Sequence, residues 1–237
     1  EVHMQINIAN IGNKEWLAAE DFEETSMSER VSYWSEYYSN ALCNKSIHTA
    51  PSQFAAFCAI EAKETGIGKL IDIACGDGRD SVFFAQLGFE VLALEQATTA
   101  IEIITSRSKG LNNLKAIQID VISEKLPQMK SSDDVSAYYV WFFLHTLAEP
   151  QVHTFFRNLS NNMQSSQLFF TEYRSEKDAS LTKCTPCHDR YFHKATSIKM
   201  IAKAHNLDCI YEVQGRGFAK WKTDDAAVVR QIFVKSK

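Results

Sequence analysis

Asp72 closes a short apolar run and stands just before Gly76 and Gly78; Glu95 and Asp120 close the next two apolar runs. A strand that ends in glycines before a helix turns backbone N–H groups and the helix N-terminus toward a ligand. A carboxylate at the tip of the second strand can accept hydrogen bonds from both hydroxyls of a ribose. Asp72 puts a negative charge ahead of the turn. It repels a pyrophosphate and suits a cationic group. The run Gly76-Asp77-Gly78-Arg79-Asp80-Ser81 also lacks the third glycine of a dinucleotide turn, with Ser81 in its place. The ligand these residues describe has a nucleoside at one end and a positive charge at the other. The amino and sulfonium end of S-adenosylmethionine meets that description.

Those residues must be held by a regular frame. The apolar pattern predicts strands over 69–74, 89–95, 114–120, 135–141, 167–173, 207–213 and 226–234. Helices are predicted over 79–87, 98–108, 150–163 and 196–206. Such alternation implies a Rossmann-like, seven-stranded, mostly parallel sheet with helices on both faces. Only the patternless stretch 214–225 separates the last two strands, so the last strand is expected to return antiparallel. Two helices precede the sheet. One opens on the capping box Ser26-Met27-Ser28-Glu29 and carries Tyr33, Trp34, Tyr37 and Tyr38; the other starts near Pro51. Residues 1–66 read as a helical cap and 67–237 as the binding domain, together one globular unit.

The chain has 237 residues and a formal net charge of −4, with no long basic run, which disfavours a nucleic-acid partner. It has no apolar stretch of membrane-spanning length and no signal-peptide pattern. The residues ahead of Met4 read as a cloning remnant. The six cysteines are scattered, as expected of reduced thiols in a cytoplasmic protein. Cys184-Thr185-Pro186-Cys187-His188 with His193 has a zinc-like look, but no second pair completes the ligand set, so no metal is expected. Oligomeric state is not legible.

The run Asp72-Ile73-Ala74-Cys75-Gly76-Asp77-Gly78 resembles the first motif of the class I S-adenosylmethionine-dependent methyltransferases, with Ala74 in place of the first glycine. Arg79-Asp80-Ser81 is similar to the form found in the tellurite-resistance and thiopurine-type branches. The resemblance covers roughly Lys69 to Lys235. It implies methyl transfer from S-adenosyl-L-methionine, with Glu95 and its neighbour Gln96 at the ribose and Asp120 and Val121 at the adenine. Asp72, Ala74, Cys75, Gly76, Gly78 and Asp80 are then expected to line the rest of the cofactor, and Trp141 its pocket.

The acceptor side is less marked. His145 is the only imidazole expected at the end of the fourth strand, as a base or an orienting partner. The stretch Tyr139-Val140-Trp141-Phe142-Phe143-Leu144-His145 resembles a motif of a bacterial branch linked to surface-polysaccharide modification, with Trp141 where an arginine is usual. Thr171–Ser175, His188–Phe192 and Gly215–Lys220 add weaker matches to that branch. Arg174, Arg190 and Tyr191 can reach the mouth of the site, where an arginine suits a carboxylate or phosphate. Tyr33, Trp34, Tyr37 and Tyr38 can form a lid over a small-molecule acceptor. Two other readings remain: a module that binds the cofactor without transfer, and a nicotinamide-dependent oxidoreductase.

Overall fold

The computed structural model describes residues 27–43, 49–127, 136–184 and 190–236. Helix α1 (Met27–Cys43) and α2 (Gln53–Glu64) come first. The capping box at Ser26–Glu29 lies outside the described side chains. Helix α2 starts where Ser52 accepts a 2.9 Å hydrogen bond from the Ala55 N–H, one residue after Pro51. Then β1 (Lys69–Ile73), α3 (Arg79–Gln86), β2 (Glu90–Glu95), α4 (Thr98–Arg107) and β3 (Leu114–Gln118) alternate. They are followed by β4 (Ser136–Trp141), α5 (Glu149–Asn162), β5 (Leu168–Arg174) and α6 (Ala195–Ala204). The chain ends with β6 (Leu207–Gly215), β7 (Lys220–Trp221), β8 (Asp224–Asp225) and β9 (Val228–Lys235).

Seven strands make one sheet in the order β3-β2-β1-β4-β5-β9-β6. The first five run parallel; β9 inserts between β5 and β6, antiparallel to both. The expected sheet and its antiparallel return are therefore present. All five residues of β1 are buried, as a strand covered on both faces must be. One face packs Ile71, Tyr138, Phe155, Phe156, Phe169 and Phe233 under α5 and α6. The other packs Phe54, Leu70, Phe84, Phe89, Tyr139 and Phe170 under α2 and α3. Consecutive Tyr138 and Tyr139 thus point to opposite cores, as the pleat requires.

The stretch expected to be patternless holds the small β7–β8 hairpin, in which Lys220 pairs with Asp225 and Trp221 with Asp224. Two-residue strands are too short to show alternation. Lys222 turns the hairpin at φ 53°. Among the described residues no helix is long and apolar enough to cross a membrane. The described cysteines, Cys43, Cys58, Cys75, Cys184 and Cys209, are all free thiols.

Candidate functional site

Parallel β1, β2 and β4 end on one edge of the sheet, and the glycine turn crosses that edge beside the place where the strand order reverses. A doubly wound sheet binds its ligands at this point. Gly76 (φ 58°) and Gly78 (φ 74°) both take the left-handed conformation. A Cβ on Gly78 would collide with the Ile104 side chain of α4, so this glycine also lets α3 and α4 approach. Ala74 adopts φ 55° where the family's usual residue is glycine, a strained conformation for a residue with a Cβ. The Cys75 N–H bonds the Leu94 carbonyl at 3.1 Å and fastens the turn to β2. Burial among Asp72, Glu95 and Asp77 pushes the Cys75 thiol up, which makes it a small neutral residue of the turn and a poor nucleophile.

The three carboxylates sit at this edge, and all are buried. Asp72 Oδ2 accepts a 2.5 Å hydrogen bond from Ser81 Oγ. Burial raises the Asp72 carboxyl well above its ordinary range; the Ser81 hydroxyl opposes that rise, and Asp80 and Glu95 add to it. Glu95 Oε1 accepts from the N–H groups of Gln96 (2.8 Å) and Ala97 (2.9 Å), and Oε2 from Gly76 (3.0 Å). Burial raises Glu95 too, against the pull of these three donors. The Ile119 N–H bonds the Glu95 carbonyl, which brings Asp120 and Val121 alongside. Asp120 folds its own loop, accepting from the Ile122 N–H at 2.9 Å and from Ser123 Oγ at 3.1 Å.

Asp80, expected at the cofactor, is engaged by α2 and β4. Its oxygens accept from the Ser52 N–H (2.7 Å), Ser52 Oγ (2.8 Å) and Tyr139 Oη (2.7 Å), which pins the start of α2 to α3. An aspartate in the first turn of a helix can face the ligand or the neighbouring element, and the sequence does not say which. Asp80→Ala should therefore lower stability by about 2–3 kcal/mol in urea unfolding, as expected when buried donors lose their acceptor. The dissociation constant for S-adenosylhomocysteine should change less than threefold. A loss of binding with unchanged stability would return Asp80 to the cofactor.

Trp141 ends β4 one residue beyond the Ile73–Val140 pair, beside Ala74. Its Nε1–H donates to Glu172 Oε1 at 2.9 Å, Phe142 stacks on it at 4.2 Å, and the Arg79 guanidinium lies 4.3 Å from the ring centre. Strand register delivers this assembly: Trp141 pairs with Glu172, and Glu172 with Arg230. Phe142 holds φ 55°, an uncommon strain for an aromatic residue and one found mostly where function over-determines the backbone. No sequence signal marks that torsion. Arg79, Phe142 and Glu172 fall within the stretches that carry the resemblance, but the sequence assigns none of them a role of its own.

His145 lies buried, edge-on to Phe142 at 5.3 Å. Its Nδ1 accepts from the Arg174 N–H at 3.4 Å, so a neutral ring carries its proton on Nε2. Through this contact the ring orients the backbone at the end of β5. The His145 carbonyl accepts the Tyr191 N–H at 2.8 Å, which brings Tyr191 and its neighbour Arg190 to the end of β4. Arg174, expected at the acceptor, is instead buried in an ion cluster with Asp178 (2.7 Å) and Asp224 (2.6 Å). The cluster ties β5 to the β7–β8 hairpin.

The tyrosines of α1 reach the site. Tyr37 shares its surroundings with Asp77, Arg79 and Arg190, and burial raises its hydroxyl. The Tyr38 phenol presses on Gly76, with Cζ 3.2 Å from where a Cβ would stand. Tyr33 and Trp34 stack edge-on at 5.1 Å on the same helix, and Trp34 reaches Tyr37 at 5.5 Å.

Cys187 and His188 lie outside the described residues. His193 Nε2 donates to the carbonyls of Leu144 and Leu147 (3.1 and 2.9 Å), and among the described residues no cluster of three groups could hold a metal.

The model of the family described as tellurite resistance protein TehB matches residues 36–173, and the chain belongs to that family. Its fold is that of the class I S-adenosylmethionine-dependent methyltransferases. A methyltransferase of this kind from Clostridium acetobutylicum ATCC 824 superposes with TM-score 0.63 at 11% identity, over 87% of this chain and 99% of that one. A TehB-like methyltransferase from Corynebacterium glutamicum ATCC 13032 gives 0.58 at 11%, over 88% and 100%. The glycopeptide N-methyltransferase MtfA complexed with S-adenosylmethionine gives 0.60 at 16%, over 78% and 94%. No curated protein sequence matches the chain. Family and fold together make the protein an S-adenosylmethionine-dependent methyltransferase.

Proposed function

We propose that the protein transfers the methyl group of S-adenosylmethionine to a small acceptor bearing an anionic group. A sugar-type molecule with a phosphate or carboxylate is the favoured class, and surface-polysaccharide modification the favoured setting. The observation that carries the reading is the placing of Asp72, Gly76, Gly78 and Glu95 on one sheet edge, with Asp120 alongside. In this reading Asp72 faces the amino end of the cofactor, Glu95 and Gln96 the ribose, and Asp120 and Val121 the adenine. Trp141 borders the cofactor pocket, its ring stacked between Phe142 and the Arg79 guanidinium.

Transfer is a direct displacement. A lone pair on the acceptor attacks the methyl carbon, the carbon–sulfur bond breaks, and its electrons stay on sulfur as S-adenosylhomocysteine leaves. The protein's task is to align the three atoms and keep water away. Arg79 and Arg190, both near Tyr37, supply the positive charge that supports an anionic acceptor. An acceptor that carries a proton releases it after the methyl group has transferred, to His145 or, once the site opens, to solvent.

Calorimetry should detect S-adenosylhomocysteine binding at micromolar concentration, and NADH should not compete. Labelled methyl transfer should then appear with one member of a panel of sugar phosphates, sugar carboxylates and tellurite. Absence of binding at high micromolar ligand sinks the assignment. Binding without transfer to any acceptor favours the non-catalytic reading, and transfer to tellurite alone moves the acceptor to a metalloid oxyanion.

A further inference from the structure

We propose that Arg174 is a positioning residue of the methyl-transfer site: it lies over Phe142 and through that ring fixes Trp141 and Arg79 as one wall of the cofactor pocket. The inference rests on the placement of the cofactor proposed above. Phe142 and Trp141 stack face to face, 4.2 Å apart and 6° from parallel. The Arg79 guanidinium lies 4.3 Å from the Trp141 ring centre, and the Arg174 guanidinium 5.2 Å from that of Phe142. A parallel ring so close fills one face of its neighbour, so each guanidinium takes the outer face of its own ring. The result is a column, Arg174–Phe142–Trp141–Arg79, that crosses from β5 through the end of β4 to the first residue of α3. A cation at each end is attracted by the π-density beneath it.

The two ends are held differently. Arg174 is buried, with Nη1 donating to Asp178 Oδ2 at 2.7 Å and Nη2 to Asp224 Oδ2 at 2.6 Å. Those carboxylates are fixed in turn, Asp178 by the Ala227 N–H at 2.8 Å and Asp224 by the Cys184 N–H at 3.3 Å. Arg79 Nε meets Asp80 at 3.7 Å, beyond hydrogen-bond reach. Position is therefore imposed from the Arg174 end. Phe142 needs that hold, because its φ of 55° is a strained conformation that persists only where the surroundings over-determine it. Arg174 over the ring and His145 at its edge supply the constraint. Lysine at position 174 would keep a charge between Asp178 and Asp224 but has no plane to lay on the ring. That difference separates positioning from support of the fold.

The test compares the full-length wild type with Arg174→Lys, Phe142→Leu and Lys183→Met. Lys183 belongs to the same ion cluster, 3.2 Å from Asp178, but its ring contact is Phe192, outside the column. Each protein is read by urea unfolding, by the nitrogen–proton resonance of the Trp141 indole (assigned by its loss in Trp141→Phe) and by calorimetry with S-adenosylhomocysteine. Arg174→Lys should unfold close to wild type, yet shift the indole resonance and weaken binding about threefold. Phe142→Leu leaves the ion cluster intact and should shift the same resonance and weaken binding to a similar extent, which reads the relay even if Arg174→Lys fails to fold. The two substitutions together should bind no more weakly than Phe142→Leu alone, as expected when one acts through the other. Lys183→Met should keep the wild-type resonance and affinity. Arg174→Lys that keeps either one reduces Arg174 to support of the fold and overturns the proposal. So does Phe142→Leu with an unmoved resonance, or Lys183→Met that shifts it as far as Arg174→Lys. A wild type that binds no S-adenosylhomocysteine sinks the cofactor placement and the pocket wall with it, whereas a wild type that binds, with an unmoved resonance in the variants, sinks the positioning role alone.

Discussion

Asp72→Asn should weaken S-adenosylhomocysteine binding about thirtyfold while making the protein without ligand more heat-stable as pH rises above the ordinary aspartate range. The first effect follows from the loss of a buried negative charge opposite the ligand's ammonium group. A hydrogen bond to a charged group contributes about 2 kcal/mol, which converts to roughly thirtyfold in affinity. The second effect follows from what that charge does without a ligand. Asp72 is 2% exposed, and burial, with Asp80 and Glu95 nearby, raises its carboxyl well above the usual range. The folded state therefore holds the Asp72 proton more tightly than the unfolded chain. Stability falls as pH rises from the ordinary aspartate value through the raised one, because folding then buries an ionised group. Asparagine has no such proton and can still accept from Ser81. The melting temperature of Asp72→Asn minus that of wild type should thus be small at or below the ordinary aspartate value and grow as pH rises above it. Differential scanning fluorimetry across that range reads the result. A gap that is constant, or that closes at high pH, would show that Asp72 is not held near its neutral form.

The same linkage implies that ligand binding releases a proton where Asp72 is protonated. An ammonium group beside the carboxylate lowers the raised value. Binding heats in buffers of different ionisation enthalpy should then differ, and the difference should vanish in Asp72→Asn.

The sheet was legible because its strands are long apolar runs. Ile71, Leu92 and Val140 need no tertiary information to be assigned to buried strands. The turn was legible because Gly76, Gly78 and the strand-tip acids have few other reasons to occur together. Direction of side chains was the limit. Asp80 belongs to the same run as Gly78 yet faces Ser52 and Tyr139, a choice made by the packing of α2. Arg174 ends a strand near the site yet is turned into Asp178 and Asp224, which lie four and fifty residues on in the chain. The aromatic helix α1 was legible as a helix, but that Tyr38 rather than Trp34 reaches Gly76 depends on how α1 crosses α4. Glu172 stood in a matched stretch, but its partners Trp141 and Arg230 come from strand register and were not legible.

Glu172→Ala should destabilise the protein by about 3–5 kcal/mol, the range for removing one partner of a buried ion pair. Glu172 is fully buried, and its Oε2 accepts from Arg230 Nε (2.8 Å) and Nη2 (2.6 Å). Without the carboxylate, the Arg230 guanidinium would remain among the rings of Phe54, Phe57 and Phe218, at 5.0, 4.8 and 5.1 Å. Those faces compensate only part of a lost anion, about 0.5–2 kcal/mol each at best. The pair itself carries a desolvation cost: burial raises the Glu172 carboxyl despite the opposing pull of Arg230 and Trp141. Removing both charges should therefore be far less harmful than removing one, and Glu172→Leu with Arg230→Met should unfold within about 2 kcal/mol of wild type. The double variant still leaves Trp141 Nε1 without its acceptor. The indole that braces Arg79 and the glycine turn is then freer to move, so S-adenosylhomocysteine should bind several-fold more weakly to a protein that remains folded. Urea unfolding and calorimetry on the same samples separate the two effects. A single variant that loses less than about 1 kcal/mol, or a double variant that binds as wild type, would show that the Arg230–Glu172–Trp141 line does not hold the turn in place.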